Sequence, residues 1–188
     1  MTKPIHTIEQ FFAHALAIEH EAAQRYREFQ THFAERGEEV IAGLCRNLAA
    51  LEQEHYEFLL RRCSELALPA IDDHEYHWLE ADSPEAPARE FVYRVATPRQ
   101  LMEIAFNAEC AARSFFAHVA QTTADAKVRA LAAEMAGEEE EHMHWIADAI
   151  EYMPSQDIDW DRVLARGAGP GLALGGERRS RGNRGPGH

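Results

Sequence analysis

Apolar residues recur along this chain in steps of three and four over four long stretches, the spacing of helices with one buried face. The first stretch opens at Thr7-Ile8-Glu9-Gln10, a capping box with Thr7 as N-cap and Gln10 reaching back, and runs through Phe12, Leu16, Glu19, Ala23 and Tyr26 to a stop at Gly37. A second runs from about Glu38 to about Leu66 with the stripe Ile41, Leu44, Leu48, Glu52, His55, Leu59. The third opens at Thr97-Pro98-Arg99-Gln100, a second capping box with proline at the first helical position, and carries Met102, Ala105, Glu109, Ala112, Phe116 and Val119. The fourth, from about Asp125 to about Tyr152, carries Leu131, Met135, Glu139, His142, Ile146 and Ile150, and Pro154 ends it. Between the second and third, residues 67–96 break the periodicity with Pro69, Pro84 and Pro87, an aromatic cluster (Tyr76, Trp78, Phe91, Tyr93) and several acids, which predicts a long crossover with one short helix.

The pattern repeats. Thr7, Gln10, Ala15, Glu19 and Ala22 are matched 90 positions later by Thr97, Gln100, Ala105, Glu109 and Ala112, and Tyr26 by Phe116; Glu52-x-x-His55 is matched 87 positions later by Glu139-x-x-His142. The expected fold is all-α: an antiparallel four-helix bundle over residues 1–153, built from two helical hairpins joined by the crossover. Residues 154–188 are expected to hold a short helix, Asp157 to Arg166, and then a disordered tail rich in Gly and Arg.

Four carboxylates fall where the pattern demands apolar residues: Glu19, Glu52, Glu109 and Glu139. An ionised carboxylate buried without compensation costs several kcal/mol or more, and four together repel one another. No Lys or Arg shares these stripes. Two divalent cations would balance four negative charges. Glu and His three residues apart share a helix face, so His55 and His142 reach the same site as Glu52 and Glu139. The expected ligand set is therefore Glu19, Glu52, His55, Glu109, Glu139 and His142. Glu52 and Glu139 bridge in such a site, Glu19 and Glu109 are terminal, and each imidazole caps one metal, with the metals about 3.5–4 Å apart. A third pair, Glu141-x-x-His144, lies in register with Glu134, Gly137, Asp148 and Glu151 on a polar face and is read as solvated. Carboxylate and imidazole without thiolate suit iron, with manganese and, less well, zinc as substitutes. Two iron ions per chain imply Fe(II) and either dioxygen or hydrogen peroxide as reaction partners, and binding that weakens in acid because the imidazoles must be neutral.

Composition narrows the rest. The 188 residues are 46% hydrophobic and 27% charged, with a net charge of −13; residues 167–188 are basic, so the body is more acidic still. Such a surface repels nucleic acid and anionic lipid. The three cysteines (Cys45, Cys63, Cys110) form no C-x-x-C pair, which excludes a zinc ribbon and a rubredoxin-type iron site and suits reduced thiols in a cytoplasmic protein. No signal-peptide core and no apolar run of about 18 residues is present, so no membrane span is expected.

The segments AIEHEAAQRY (17–26), LEQEH (51–55), NAECAARSFF (107–116) and EEEEH (138–142) resemble the ferritin-like superfamily, most closely its rubrerythrin branch, over roughly residues 7–152. The resemblance implies a ferritin-like bundle with the same six residues as di-iron ligands, and places Tyr26, seven residues after the first ligand, as a tyrosine hydrogen-bonding near the iron; a plain core aromatic is the competing reading. Rubrerythrins that reduce peroxide carry a further Glu where this chain has Ala112, and a rubredoxin domain that this chain lacks. The six-ligand set is more similar to a bacterioferritin ferroxidase centre, which points to ferroxidase or oxidase chemistry in iron or oxidative-stress handling. The alternatives are a metal-binding or sensory module without turnover, a metal-free bundle held by Glu–Arg pairs, and a hydroxylase of an organic substrate. A homodimer is expected by analogy with such bundles. Gly171–Arg179 loosely resembles the peptides that target cargo into encapsulin shells, which makes such a shell a candidate partner beside the plain-tail reading.

Overall fold

The computed structural model describes residues 5–71, 75–79, 83–95 and 97–153. Within them lie four long helices and one short one: α1 (Ile8–Glu35), α2 (Glu39–Arg62), α3 (Arg89–Val92), α4 (Pro98–Thr122) and α5 (Ala126–Tyr152). The described residues contain no strand. The expected short helix at 157–166 and the segment 171–179 lie outside the described residues.

Local chemistry sets the helix ends. Thr7 Oγ1 accepts from the Gln10 amide at 3.2 Å, and Thr97 Oγ1 from the Gln100 amide at 3.2 Å. The return arm of the first box goes one residue further back than the pattern predicts: Gln10 Oε1 accepts from the His6 amide at 3.0 Å. Asp125 caps α5 through the amides of Lys127 and Val128. α1 ends in a Schellman motif, with Glu38 N donating to Phe33 O and Gly37 N to Ala34 O. Gly37 supplies the left-handed residue this motif requires, at φ +75°. The second helix is shorter than its pattern suggests. Cys63 closes it onto Leu59 O, and a turn from Cys63 to Leu66 swings Leu66 and Leu68 onto the core instead of continuing the spiral.

The core has two parts. One apolar cluster gathers Phe11, Phe12 and Leu16 of α1, Leu59 of α2, Phe115, Phe116 and Val119 of α4, and Val128 and Met135 of α5. The other gathers Tyr26, Phe29 and Phe33 of α1, Leu44 and Leu48 of α2, Leu101 and Met102 of α4, and Ile146 of α5. The early part of α1 thus meets the late parts of α2 and α4 and the early part of α5. α1 and α5 run one way; α2 and α4 run the other. Since α2 ends where α4 ends, the chain must travel the length of the bundle before α4 can start, and the crossover makes that journey.

The crossover runs alongside α1. The His77 amide donates to His14 Nε2 at 3.1 Å, Arg25 donates to Pro87 O at 2.7 Å, and Arg89 and Tyr93 both donate to the Glu28 carboxylate. Trp78 packs on the first cluster and Val92 lies in the second. Hydrogen bonds from Arg89 hold the Glu28 carboxyl down at about 2. His14 is buried and its Nδ1 donates to Gln10 O at 2.8 Å, so the ring is the neutral Nδ1–H tautomer, accepting on the other side. Burial lowers its pKa to about 4.

Candidate metal centre

Between the two apolar clusters lies one polar layer, at the same level on every long helix. Glu19 is buried on α1, Glu52 on α2, Glu109 on α4 and Glu139 on α5, with His55 and His142 partly buried beside them. All six residues expected from the sequence meet there. The register explains it: on each helix the acid is one or two turns from apolar residues at both ends, so burying those residues carries the acid inward.

The six side chains form two triads, one per hairpin. One donor atom from each of Glu19, Glu52 and His55 lies within 4.8 Å of the others, and the same holds for Glu109, Glu139 and His142. His142 Nδ1 is 3.1 Å from Glu139 and 3.3 Å from Glu109, within hydrogen-bond reach. His55 Nδ1 stands 3.6 Å from both Glu19 and Glu52, an ion-pair distance. The two imidazoles stack across the hairpins, ring centroids 4.7 Å apart and planes within 4° of parallel.

The protonation of the metal-free layer follows from crowding. Burial first, then the neighbouring carboxylates, push Glu139 well above the usual range and Glu52 to about 7. Burial is also the largest single influence on Glu109, but the bond and charge of His142, the bond from Glu139 and the charge of His55 together outweigh it and the net shift is downward. Burial disfavours charge on both imidazoles; the facing carboxylates prevail and raise His142 to about 10 and His55 well above its usual value. The cationic groups that these acids meet among the described residues are thus two protonated imidazoles. Protonation of Glu139 and, in part, of Glu52 stands in for further cations, and Glu19 Oε2 is buried without a hydrogen-bond partner.

A fifth carboxylate joins the layer, and the sequence pattern missed it. Glu85 of the crossover is 2% exposed, and neither of its oxygens has a hydrogen-bond partner. Burial raises its pKa strongly, and Glu19, Glu139, Glu109 and Glu52 each add to the shift. One of its oxygens lies with oxygens of Glu19 and Glu139 inside the same 4.8 Å limit. Only a weak signal was available: an acid in the small, apolar, proline-rich run Ser83-Pro84-Glu85-Ala86-Pro87.

Tyr26 is buried beside the layer, and its hydroxyl is pushed well above its usual range by burial and then by Glu52 and Glu109. Its counterpart in the second hairpin, Phe116, lies in the other apolar cluster. Glu141 and His144 are exposed, as their register predicts. The three cysteines are free thiols, and burial pushes Cys45 up to about 12.

The donor set fits a pair of hard or borderline cations. Metal–oxygen and metal–nitrogen bonds of about 2.0–2.2 Å span triads of this size, and oxygen with imidazole suits iron, manganese or zinc. The orphaned carboxylate oxygens are the partners such ions would satisfy.

Residues 10–88 match the rubrerythrin family model. The fold is similar to the crystal structure of an uncharacterized conserved protein from Magnetospirillum magnetotacticum MS-1, with a TM-score of 0.60 and 29% identity, covering 81% of this chain and 99% of that one. Among functionally curated proteins no relative matches. None of the described helices is long and apolar enough to cross a membrane.

Proposed function

We propose, for a chain that belongs to the ferritin-like superfamily and is related to the rubrerythrins, a di-iron oxidoreductase that uses dioxygen or hydrogen peroxide, of ferroxidase or oxidase type. The observation that carries this reading is the pair of Glu-Glu-His triads facing each other between two apolar clusters.

Glu19, Glu52 and His55 would hold one ion, Glu109, Glu139 and His142 the other. When bound, two Fe(II) ions supply two electrons as they become Fe(III); with two protons these reduce dioxygen to hydrogen peroxide, or hydrogen peroxide to two waters. The chain does the rest. Four carboxylates neutralise the charge of two divalent ions in a layer where water is scarce, which strengthens every electrostatic contact. Both imidazoles must release their protons on loading, since only the neutral ring is a ligand. The clusters on either side keep bulk water from the layer, and Tyr26 offers a hydroxyl proton next to Glu52 and Glu109. Ala112 in place of an acid favours ferroxidase or oxidase over peroxidase chemistry.

The test is anaerobic Fe(II) titration of metal-free protein, followed by air. The reading expects about two Fe(II) per chain, oxygen uptake in proportion, and near-ultraviolet absorption of oxidised iron. Two ions bound with no oxygen or peroxide consumption would leave a metal-binding module; no metal bound would refute the reading altogether.

A further inference from the structure

The six-residue set leaves one buried acid unused, and its surroundings are those of a ligand. Glu85 sits at the third position of a turn, Ser83-Pro84-Glu85-Ala86, closed by Ala86 N donating to Ser83 O at 3.2 Å. Serine first and proline second are the residues such a turn favours. Arg25 of α1 then ties down Pro87 O, two residues on. The backbone under Glu85 is therefore fixed from both sides, at the level where the crossover passes the polar layer. Both carboxylate oxygens are buried without a hydrogen-bond partner. A buried polar group left unpaired costs about 1–3 kcal/mol, and more if charged. A fold that holds Glu85 rigidly in that position without a partner lacks a physical reason, unless something else completes it. The acids it meets, Glu19 and Glu139, come from opposite hairpins and one from each triad. On α4 the position one turn after Glu109 is Ala112, which offers no donor.

We propose that Glu85 is a seventh protein ligand of the metal pair, approaching between Glu19 and Glu139, so that the crossover is a ligand-bearing strap that metal binding would lock against the bundle. This rests on the di-metal reading above. It makes the ligand set asymmetric: five carboxylates and two imidazoles, with the fifth carboxylate belonging to neither hairpin.

The experiment uses the full-length chain and the variants Glu85→Gln and Glu85→Ala, with Co(II) under nitrogen as the probe. Isothermal titration gives stoichiometry and affinity, and visible absorption reports the coordination geometry. Thermal melting and limited proteolysis within 67–96 follow, with and without Co(II). Glu85→Gln keeps the shape of the side chain and guards against a variant that fails to fold. The proposal expects two Co(II) per wild-type chain. In both variants it expects affinity lowered on the order of 10-fold or more for at least one ion, together with an altered visible spectrum. It also expects opposite effects on stability: the metal-free variants melt higher than metal-free wild type, yet gain less from Co(II). Co(II) should protect the crossover from protease in wild type and less so in the variants. Wild-type affinity and an unchanged spectrum in both variants would overturn the role of Glu85 and leave the six-ligand site standing. A wild-type chain that takes up no Co(II) would overturn the di-metal reading itself.

Discussion

The two hairpins carry the same three ligand types in the same register, yet they hold them differently. In the α4–α5 hairpin, His142 hydrogen-bonds both of its carboxylates, and its side chain is 19% exposed. In the α1–α2 hairpin, His55 stands back at 3.6 Å and is 34% exposed, and one oxygen of Glu19 is left without a hydrogen bond. The first hairpin carries Tyr26 and makes the hydrogen bonds that tie down the crossover, while Trp78 of the crossover also packs on Phe115 of α4. A repeated sequence has thus produced two half-sites of unequal character: one closed by its own imidazole, the other open and attended by neighbours. The two ions are expected to bind with unequal affinity.

Removing what both halves share has the largest expected effect. The double variant Glu52→Gln, Glu139→Gln should lose stoichiometric Fe(II) and Co(II) binding. Its metal-free form should melt higher than wild type, because two acids that repel their neighbours have become neutral; isothermal titration and calorimetry check both signs. Metal binding retained at two per chain would refute the shared role.

Removing what differs comes next. His142→Ala strips the partner from two buried carboxylates, which typically costs about 3–5 kcal/mol when a buried pair is broken. His55→Ala breaks longer contacts and should destabilise the metal-free protein less. Equal losses in denaturant titration would show that the difference between the hairpins has no energetic weight.

The pH response should divide the molecule in the same way. In the metal-free layer, His142 is raised to about 10 and Glu52 to about 7. Each group then holds its proton more firmly folded than unfolded. Their contribution to stability is complete below the unfolded values of about 6.5 and 4.5, and is lost as pH rises through 10 and 7 respectively. Metal reverses the sign: ions displace these protons, so affinity should climb with pH through neutrality, with measurable proton release in weakly buffered titrations. His14 behaves in the opposite sense. Its folded pKa is lowered to about 4, so stability falls as pH drops from about 6.5 to 4, by roughly 3 kcal/mol at most. Protease cutting within the crossover should accelerate over that window, and His14→Phe should remove the acceleration.

The smallest effect is expected from making the halves alike. Tyr26→Phe copies Phe116 into the first hairpin. It should leave metal stoichiometry unchanged and stability within about 1.5 kcal/mol, while slowing Fe(II) oxidation in stopped-flow absorbance. An unaltered rate would make Tyr26 a packing residue.

Most of the fold and the meeting of six side chains in one layer were legible in the sequence, for one physical reason: a helix repeats every 3.6 residues, so a carboxylate in phase with Leu16 or Ile146 must share their burial. The same register correctly left Glu141 and His144 in water. Glu85 was hidden because irregular backbone has no period; its burial comes from the route of the crossover past α1, a property of topology. The end of α2 was misjudged for a related reason, since Leu66 and Leu68 are apolar enough to extend a stripe but are buried by a turn.

Apolar clusters flank the acid layer at both ends among the described residues, which favours approach sideways between helices. The crossover bars the flank along α1. The imidazoles line the opposite wall, where α2 faces α5 and Arg62 reaches Glu134. With a third of its side chain open to solvent, His55 is the most exposed of the six side chains, so its imidazolium proton is the one best placed to leave for water and make way for a cation.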